Sequence, residues 1–146
     1  MTHQQLPQGE LVLRTLAMPA DTNANGDIFG GWLISQMDIG GAILAKEIAL
    51  GRVVTVAVNG VTFQNPVSVG DVVCCYARCI KTGNTSITIN IEVWIKKVAS
   101  EPVGQRYRAT KAIFTYVAVN EDNSPRCLPE EKRHYQLSNS DNTSST

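Results

Sequence analysis

From Ser86 to Lys97 the chain alternates. Ile87, Ile89, Ile91, Val93 and Ile95 fall on one side of an extended backbone, and Thr88, Asn90, Glu92, Trp94 and Lys96 fall on the other. That period of two predicts a strand with one face in a core. Upstream the period changes. Leu33, Met37, Gly40, Gly41, Leu44, Ala45 and Ile48 recur at three- and four-residue spacing, which predicts a helix opening at Gly30-Gly31 and running to about Ala49 or Leu50, with Gly51 as its stop. Its other side carries Ile34, Ile39, Ala42 and Ile43. A helix apolar nearly all round is surrounded by protein, and the small residues at 40–42 admit a close neighbour.

The remaining segments read as strands and turns. "GELVLRTLAMP" is a first strand ending at Pro19, and "ADTNANGD" is a loop of turn-forming residues. After the helix come "VVTVAV", a turn within "VTFQNPVSVGD", a strand over about Val72 to Lys81, the hairpin-like turn "KTGNTS", the alternating strand, a turn at "VASEPVG" and a long last strand in "QRYRATKAIFTYVAV". From about Ser124 the chain is polar. The order predicts an α+β fold: antiparallel strands joined in hairpins, with one long helix on the sheet. The helix is apolar on more sides than one flat sheet covers, so the sheet curls around it or a second subunit helps, and a dimer at least is expected. The predicted organisation is a flexible segment 1–8, a single domain 9–130 and a polar tail 131–146 expected to be disordered.

Composition narrows the function classes. There are 13 basic and 13 acidic residues in 146. A zero balance argues against a general nucleic-acid or anionic-membrane binder, so neither partner is expected. The opening "MTHQQLPQGE" lacks an apolar signal core. Ile28 to Ala45 is long enough to cross a membrane, but it contains Gly30, Gly31, Gly40, Gly41, Ser35, Gln36 and Asp38 and reads as a buried soluble helix. A cytoplasmic protein is expected. Of the cysteines 74, 75, 79 and 127, Cys74 and Cys75 point to opposite faces of a strand. Cys75 and Cys79 share a face but lie ~13 Å apart along it, too far for a disulfide. No metal-binding spacing occurs.

Candidate chemistry is sparse. The two histidines, His3 and His134, lie in polar terminal segments, so no core histidine is available for a nucleophile–base triad, and no GxSxG elbow, phosphate loop or dinucleotide fingerprint is present. A Cys127–His134 pairing carries little weight. Asp38 stands out: it interrupts an apolar helix, and no cation lies one turn away. Burying an unpaired carboxylate is costly, so it faces a cleft, shifts its titration or lies on a solvent-exposed edge. Gly30 and Gly31 leave free N–H groups at the positive end of the helix, suited to an oxyanion, or serve only a tight turn. Asp38 lies ~10 Å along the axis from Gly31, so a site using both is expected to draw on two chains. Asn23 offers an amide for a water or a carbonyl, or simply shapes the loop. "KTGNTS", with Lys81 and the basic residues Lys96, Lys97, Arg106, Arg108 and Lys111, offers donors to phosphate, although basic residues at sheet ends are more often only solvated.

"ADTNANGDIFGGWLISQMD", followed by "GGAILAKE", "VTF", "PVSVGD" and "VWIKKVASE", resembles the hot-dog-fold acyl-CoA thioesterases, in particular the bacterial YciA-type acyl-CoA hydrolases, over about Leu11 to Val119. The resemblance implies a hot-dog fold, an antiparallel sheet wrapped around a long central helix, with two subunits pairing their sheets and the site at their seam. It implies a catalytic acid at Asp38, a catalytic asparagine at Asn23 from the other subunit, and an oxyanion donor at Gly31. It places coenzyme A phosphates at Lys81, Thr82, Gly83, Asn84, Thr85 and Ser86, and pantetheine along Phe63 to Ser68, including Asn65 and Pro66. Where the family often has Asn and His before the Gly pair, this chain has Asp27 and Phe29. Hydrolysis to free acid and coenzyme A is implied, with acyl-CoA as substrate, no metal and no separate cofactor, and a homodimer within a hexamer built as a trimer of dimers. Hot-dog dehydratases, which use a core histidine, do not fit. The remaining alternative is a non-catalytic acyl-CoA binding or sensing module, which needs the turn but not Asp38.

Overall fold

The computed structural model describes residues 6–98 and 103–138. His3, part of "VASEPVG" and the last eight residues lie outside them. β1 (Glu10–Leu16) leads through a loop to α1 (Gly30–Ala49), then β2 (Val53–Phe63), β3 (Val72–Thr82), β4 (Ser86–Lys96) and β5 (Arg106–Ala118). The five strands form one antiparallel sheet in the order β1-β3-β4-β5-β2, and α1 touches all five. This is the wrapped helix expected of a hot dog.

Only part of the sheet is built from hairpins. β3, β4 and β5 follow one another, but β2 crosses over to pair with β5, and β1 pairs with β3. β2 is therefore an edge strand eleven residues long, nearly twice the extent that "VVTVAV" suggests, because Gly60, at φ +63°, lets the chain bend and continue to Phe63.

The five apolar residues of β4 are fully buried under α1, against Leu33, Met37 and Ala45. Burying each such side chain contributes about 1.5–3 kcal/mol. The polar face of β4 is covered too. Glu92 is 3% exposed. Its Oε1 accepts from Trp94 Nε1 at 2.8 Å and from the Gln8 amide at 3.2 Å, and its Oε2 accepts from Arg108. The end of the N-terminal segment is thus fastened to the outer face of the sheet.

Helix termination departs from expectation in one detail. Leu50, not Gly51, takes the left-handed conformation at φ 54°. Arg126 reaches back to this end: its NH1 donates to Ala49 O at 3.0 Å and its NH2 to Arg52 O at 3.5 Å. The guanidinium serves a terminal carbonyl that the helix itself leaves unpaired, that of Ala49, and ties it to the segment after the helix.

The tail expectation needs correcting for residues 131–138. β1 covers β3 only as far as Ala77, so the rest of the β3 edge has free backbone groups. The tail takes them: Thr82 N donates to Tyr135 O, Leu137 N to Ile80 O, and Lys81 bridges to Gln136. An unpaired strand edge is a ready partner for any nearby backbone, and polar composition did not reveal that.

Candidate active site

Asp38 lies on the side of α1 that passes the β2 edge, and it is half-buried. Two hydroxyls meet it. Thr55 Oγ1 of β2 donates to Asp38 Oδ1 at 2.6 Å. Tyr116 OH of β5 lies 3.1 Å from the same oxygen and 2.9 Å from the Asp38 main-chain carbonyl. Thr55 and Tyr116 are register partners across the β2–β5 ladder, which is why both reach one carboxylate. Asp38 is thus a half-buried carboxylate held by hydroxyl donors, with no cation paired to it among the described residues. Tyr116 is fully buried. Burial, and then the neighbouring carboxylate, push its hydroxyl well above the ordinary 10.0, so it stays a protonated donor.

Asn23 organises the loop before the helix. Its Oδ1 accepts from the amides of Asn25 at 2.9 Å and Asp27 at 3.2 Å, and its own amide donates to Asp27 O. A bridge between Thr22 and Ile28 closes the loop. The turn role is real, and it leaves the Asn23 side-chain Nδ2 without a partner among the described residues. Phe29 caps α1 with no side-chain hydrogen bond. Trp32 and Leu33 donate to Phe29 O, whereas the Gly31 N–H has no acceptor among the described residues and its surroundings are open.

Gly30 packs against the Phe63 ring, and a Cβ there would sit 2.9 Å from it. This contact forms one wall of a cleft of about 340 Å³ lined by Ile28, Gly30, Leu33, Phe63, Gln64, Asn65, Pro66 and Val67. The segment after Phe63 is tied to β5: Gln64 N donates to Ala109 O, Asn65 Nδ2 to Arg108 O, and Tyr107 OH to Pro66 O. The helix start and the segment from 63 are therefore one surface.

Asp38 is not on that surface within the same chain. Its partner Tyr116 and the Phe63 partner Thr110 are six residues apart on β5, about 20 Å along the strand. One chain holds an acid at one end of β2 and the helix start with its cleft at the other.

In the turn from Lys81 to Ser86, Thr82 is mostly consumed by its own chain. Its hydroxyl donates to Lys132 O and accepts from Tyr135 N, and it is 8% exposed. Thr82 thus anchors the tail through its hydroxyl. Gly83, Asn84 and Thr85 also spend backbone groups on His134, Leu128 and Ala118. Lys81 and Asn84 remain exposed. A second cleft, of about 390 Å³, lies beside this turn between Ile48, Cys79, Thr82, Lys132 and Tyr135.

Thr55 and Tyr116 were not singled out from the sequence. Thr55 had a signal, being the polar residue inside "VVTVAV". Tyr116 had none, since an aromatic in a strand is ordinary.

Residues 25–101 match the family model of the thioesterase superfamily. The chain is 79% identical over 128 residues to the acyl-CoA thioester hydrolase YciA of Salmonella typhimurium, covering 88% of this chain and 96% of that one. Among solved structures, it resembles the hexameric thioesterase y2039 from Yersinia pestis with a TM-score of 0.83 and 81% identity, covering 86% of this chain and 100% of that one. It also resembles the Asp44Ala mutant of HI0827, a hexameric broad specificity acyl-coenzyme A thioesterase, with a TM-score of 0.83 and 65% identity, covering 86% of this chain and 91% of that one. The chain belongs to the thioesterase superfamily and has its hot-dog fold.

Proposed function

We propose that this protein hydrolyses acyl-CoA thioesters to the free acid and coenzyme A, with Asp38 as the acting carboxylate. The observation that carries the reading is the hydroxyl-held Asp38 beside the unpaired β2 edge. Relatives at this level of identity that are named acyl-CoA thioester hydrolases support the substrate class.

The assembled site uses two chains. An antiparallel self-pairing of β2 about its midpoint, Val58, sets Thr55 of one subunit opposite Val61 of the other, and Val53 opposite Phe63. The acid of one chain then borders the Gly31 helix start, the Asn23 loop and the Phe63 cleft of its partner. Val56, 55% exposed on β2, and Ile39, 52% exposed on α1, are covered in the same step. The hexameric state of the similar structures supports a trimer of such dimers.

In this arrangement Asp38 takes a proton from water as the water attacks the thioester carbonyl, or attacks that carbonyl itself to form a mixed anhydride that water then hydrolyses, releasing the acid and restoring the carboxylate. Asn23 of the partner holds the water or the carbonyl through Nδ2. The Gly31 N–H donates to the oxygen as negative charge develops on it. The thiolate of coenzyme A leaves and takes up a proton. Pantetheine runs along Phe63, Asn65 and Pro66, and the phosphates meet Lys81 and Asn84, with Gly83, Thr85 and Ser86 shaping the turn.

Thiol release from a panel of acyl-CoAs, short to long, by wild type and Asp38→Asn tests this, with a no-substrate blank for the four cysteines. Rapid release by wild type that is nearly abolished in a folded Asp38→Asn is the expected result. No release from any substrate, with coenzyme A still bound, returns the protein to the non-catalytic binding module.

A further inference from the structure

We propose that Tyr116 is the positioning residue for Asp38: it ties the carboxylate to its own backbone through Oδ1, so that Oδ2 is the oxygen presented to water or thioester. The inference deepens the reading above and rests on it.

A phenol has one proton to donate. The Tyr116 hydroxyl lies within hydrogen-bond reach of two acceptors of the same residue, Asp38 O at 2.9 Å and Asp38 Oδ1 at 3.1 Å. A donor between a side-chain oxygen and its own main-chain carbonyl selects the rotamer that brings the two together. Thr55 holds the same Oδ1 at 2.6 Å. Oδ2 accepts no hydrogen bond among the described residues. Both clamps therefore act on one oxygen and leave the other for chemistry.

The fold makes room for this hydroxyl at a cost. Gly41 lies one turn beyond Asp38, on the same side of α1. A Cβ at Gly41 would collide with the Tyr116 hydroxyl and with Ile91 Cδ1. Glycine is a poor helix former, yet here it lets the hydroxyl reach the helix backbone. The ring is held from behind by stacking on Phe114, with centroids 6.2 Å apart. The β1, β3 and β4 side chains nearest Gly40 and Gly41 are Val12, Leu13, Cys75 and Ile91, and the other hydroxyl on Asp38, that of Thr55, reaches Oδ1 but not the main-chain carbonyl. Volume alone does not explain the arrangement, because phenylalanine fills the same space.

The test separates hydroxyl from shape in the full-length assembled protein. Tyr116→Phe is expected to lower kcat about tenfold or more with KM within twofold of wild type, and with unchanged circular dichroism and assembly. Two unnatural residues of matched shape at position 116 sharpen the comparison. p-Aminophenylalanine keeps an N–H donor and is expected to retain kcat within about fivefold. p-Methylphenylalanine has no donor and is expected to match Tyr116→Phe. Equal kcat for the amino and methyl forms overturns the proposal, as does a change confined to KM. The pair gives the answer even if Tyr116→Phe fails to fold. A wild type that releases no thiol defeats the thioesterase reading itself, whereas an active wild type with an equally active Tyr116→Phe defeats only the role of Tyr116.

Discussion

Thr55 and Asp38 are 17 residues apart in the chain and 2.6 Å apart in the structure, hydroxyl to carboxylate. One stands on the edge strand and the other on the helix that the sheet wraps, so the contact also fixes how α1 sits against β2. Replacing Thr55 with valine keeps the β-branched shape and removes the donor. A hydrogen bond to a charged group is worth about 1.5–3 kcal/mol, so kcat of Thr55→Val is expected to fall roughly tenfold or more, with KM little changed. Steady-state kinetics on one short and one long acyl-CoA checks this. Wild-type kcat would mean that the contact only packs the strand.

Alkaline pH is expected to destabilise the protein steeply. Burial, and then the neighbouring Cys74, push the Cys75 thiol from the ordinary 9.0 up to about 12, and burial pushes Cys79 up to about 11. Tyr116 moves in the same direction. These groups hold their protons more tightly folded than unfolded, so the stability they contribute is complete below pH 9 and is lost as pH rises toward the folded values. Each thiol then removes about 1.4 kcal/mol per pH unit. Urea unfolding under reductant at pH 8 and pH 10.5 is expected to show a lower midpoint at the higher pH. The loss should be shallower in Cys75→Ala/Cys79→Ala.

The same thiols make a labelling experiment informative. Cys127 is the exposed cysteine, and Cys74 and Cys75 are buried. The thiolate is the reactive form, so an alkylating reagent at pH 8 is expected to modify Cys127 first in the native protein and all four cysteines in urea. Cys79→Ala is expected to keep thioesterase activity. Its complete loss would reopen a thiol mechanism.

Charge on the β2 edge is expected to separate subunits and activity together. Val56 and Val58 are exposed on this edge, and lysine on an edge strand opposes edge-to-edge pairing. Val56→Lys/Val58→Lys is expected to shift the mass measured by light scattering toward monomer and to remove turnover, because the acid and the helix start then belong to separate particles. A fully active monomer would sink the two-chain site.

Arg126 is expected to matter for stability rather than chemistry. It donates to Ala49 O, Val119 O and Arg52 O, joining the helix end to both flanking segments. Arg126→Met keeps much of the aliphatic length and leaves those carbonyls without it. A loss of about 1–3 kcal/mol is expected, read as a lower urea midpoint at unchanged m-value.

Much of this protein was written in local pattern. The strict alternation at Ile87 to Ile95 and the three-and-four spacing from Leu33 to Ile48 specify a strand and a helix because side-chain direction repeats with backbone geometry, and that needs no knowledge of neighbours. Asp38 was legible for the same reason: a carboxylate within an apolar periodic segment must be accommodated somewhere. What a linear pattern does not contain is which strand lies beside which. β2 follows α1 in sequence yet pairs with β5 at the edge, and only that crossover sets Thr55 beside Tyr116 and both against Asp38. Likewise, the polarity of residues 131–138 reflects solvent on one side, while their order comes from the uncovered β3 edge where β1 stops. Local pattern thus specifies the elements and the lone acid, and the family resemblance the wrapped-helix class. The tertiary structure alone decided which hydroxyls hold that acid, because hydrogen-bond partners are chosen by strand order and register rather than by residue type.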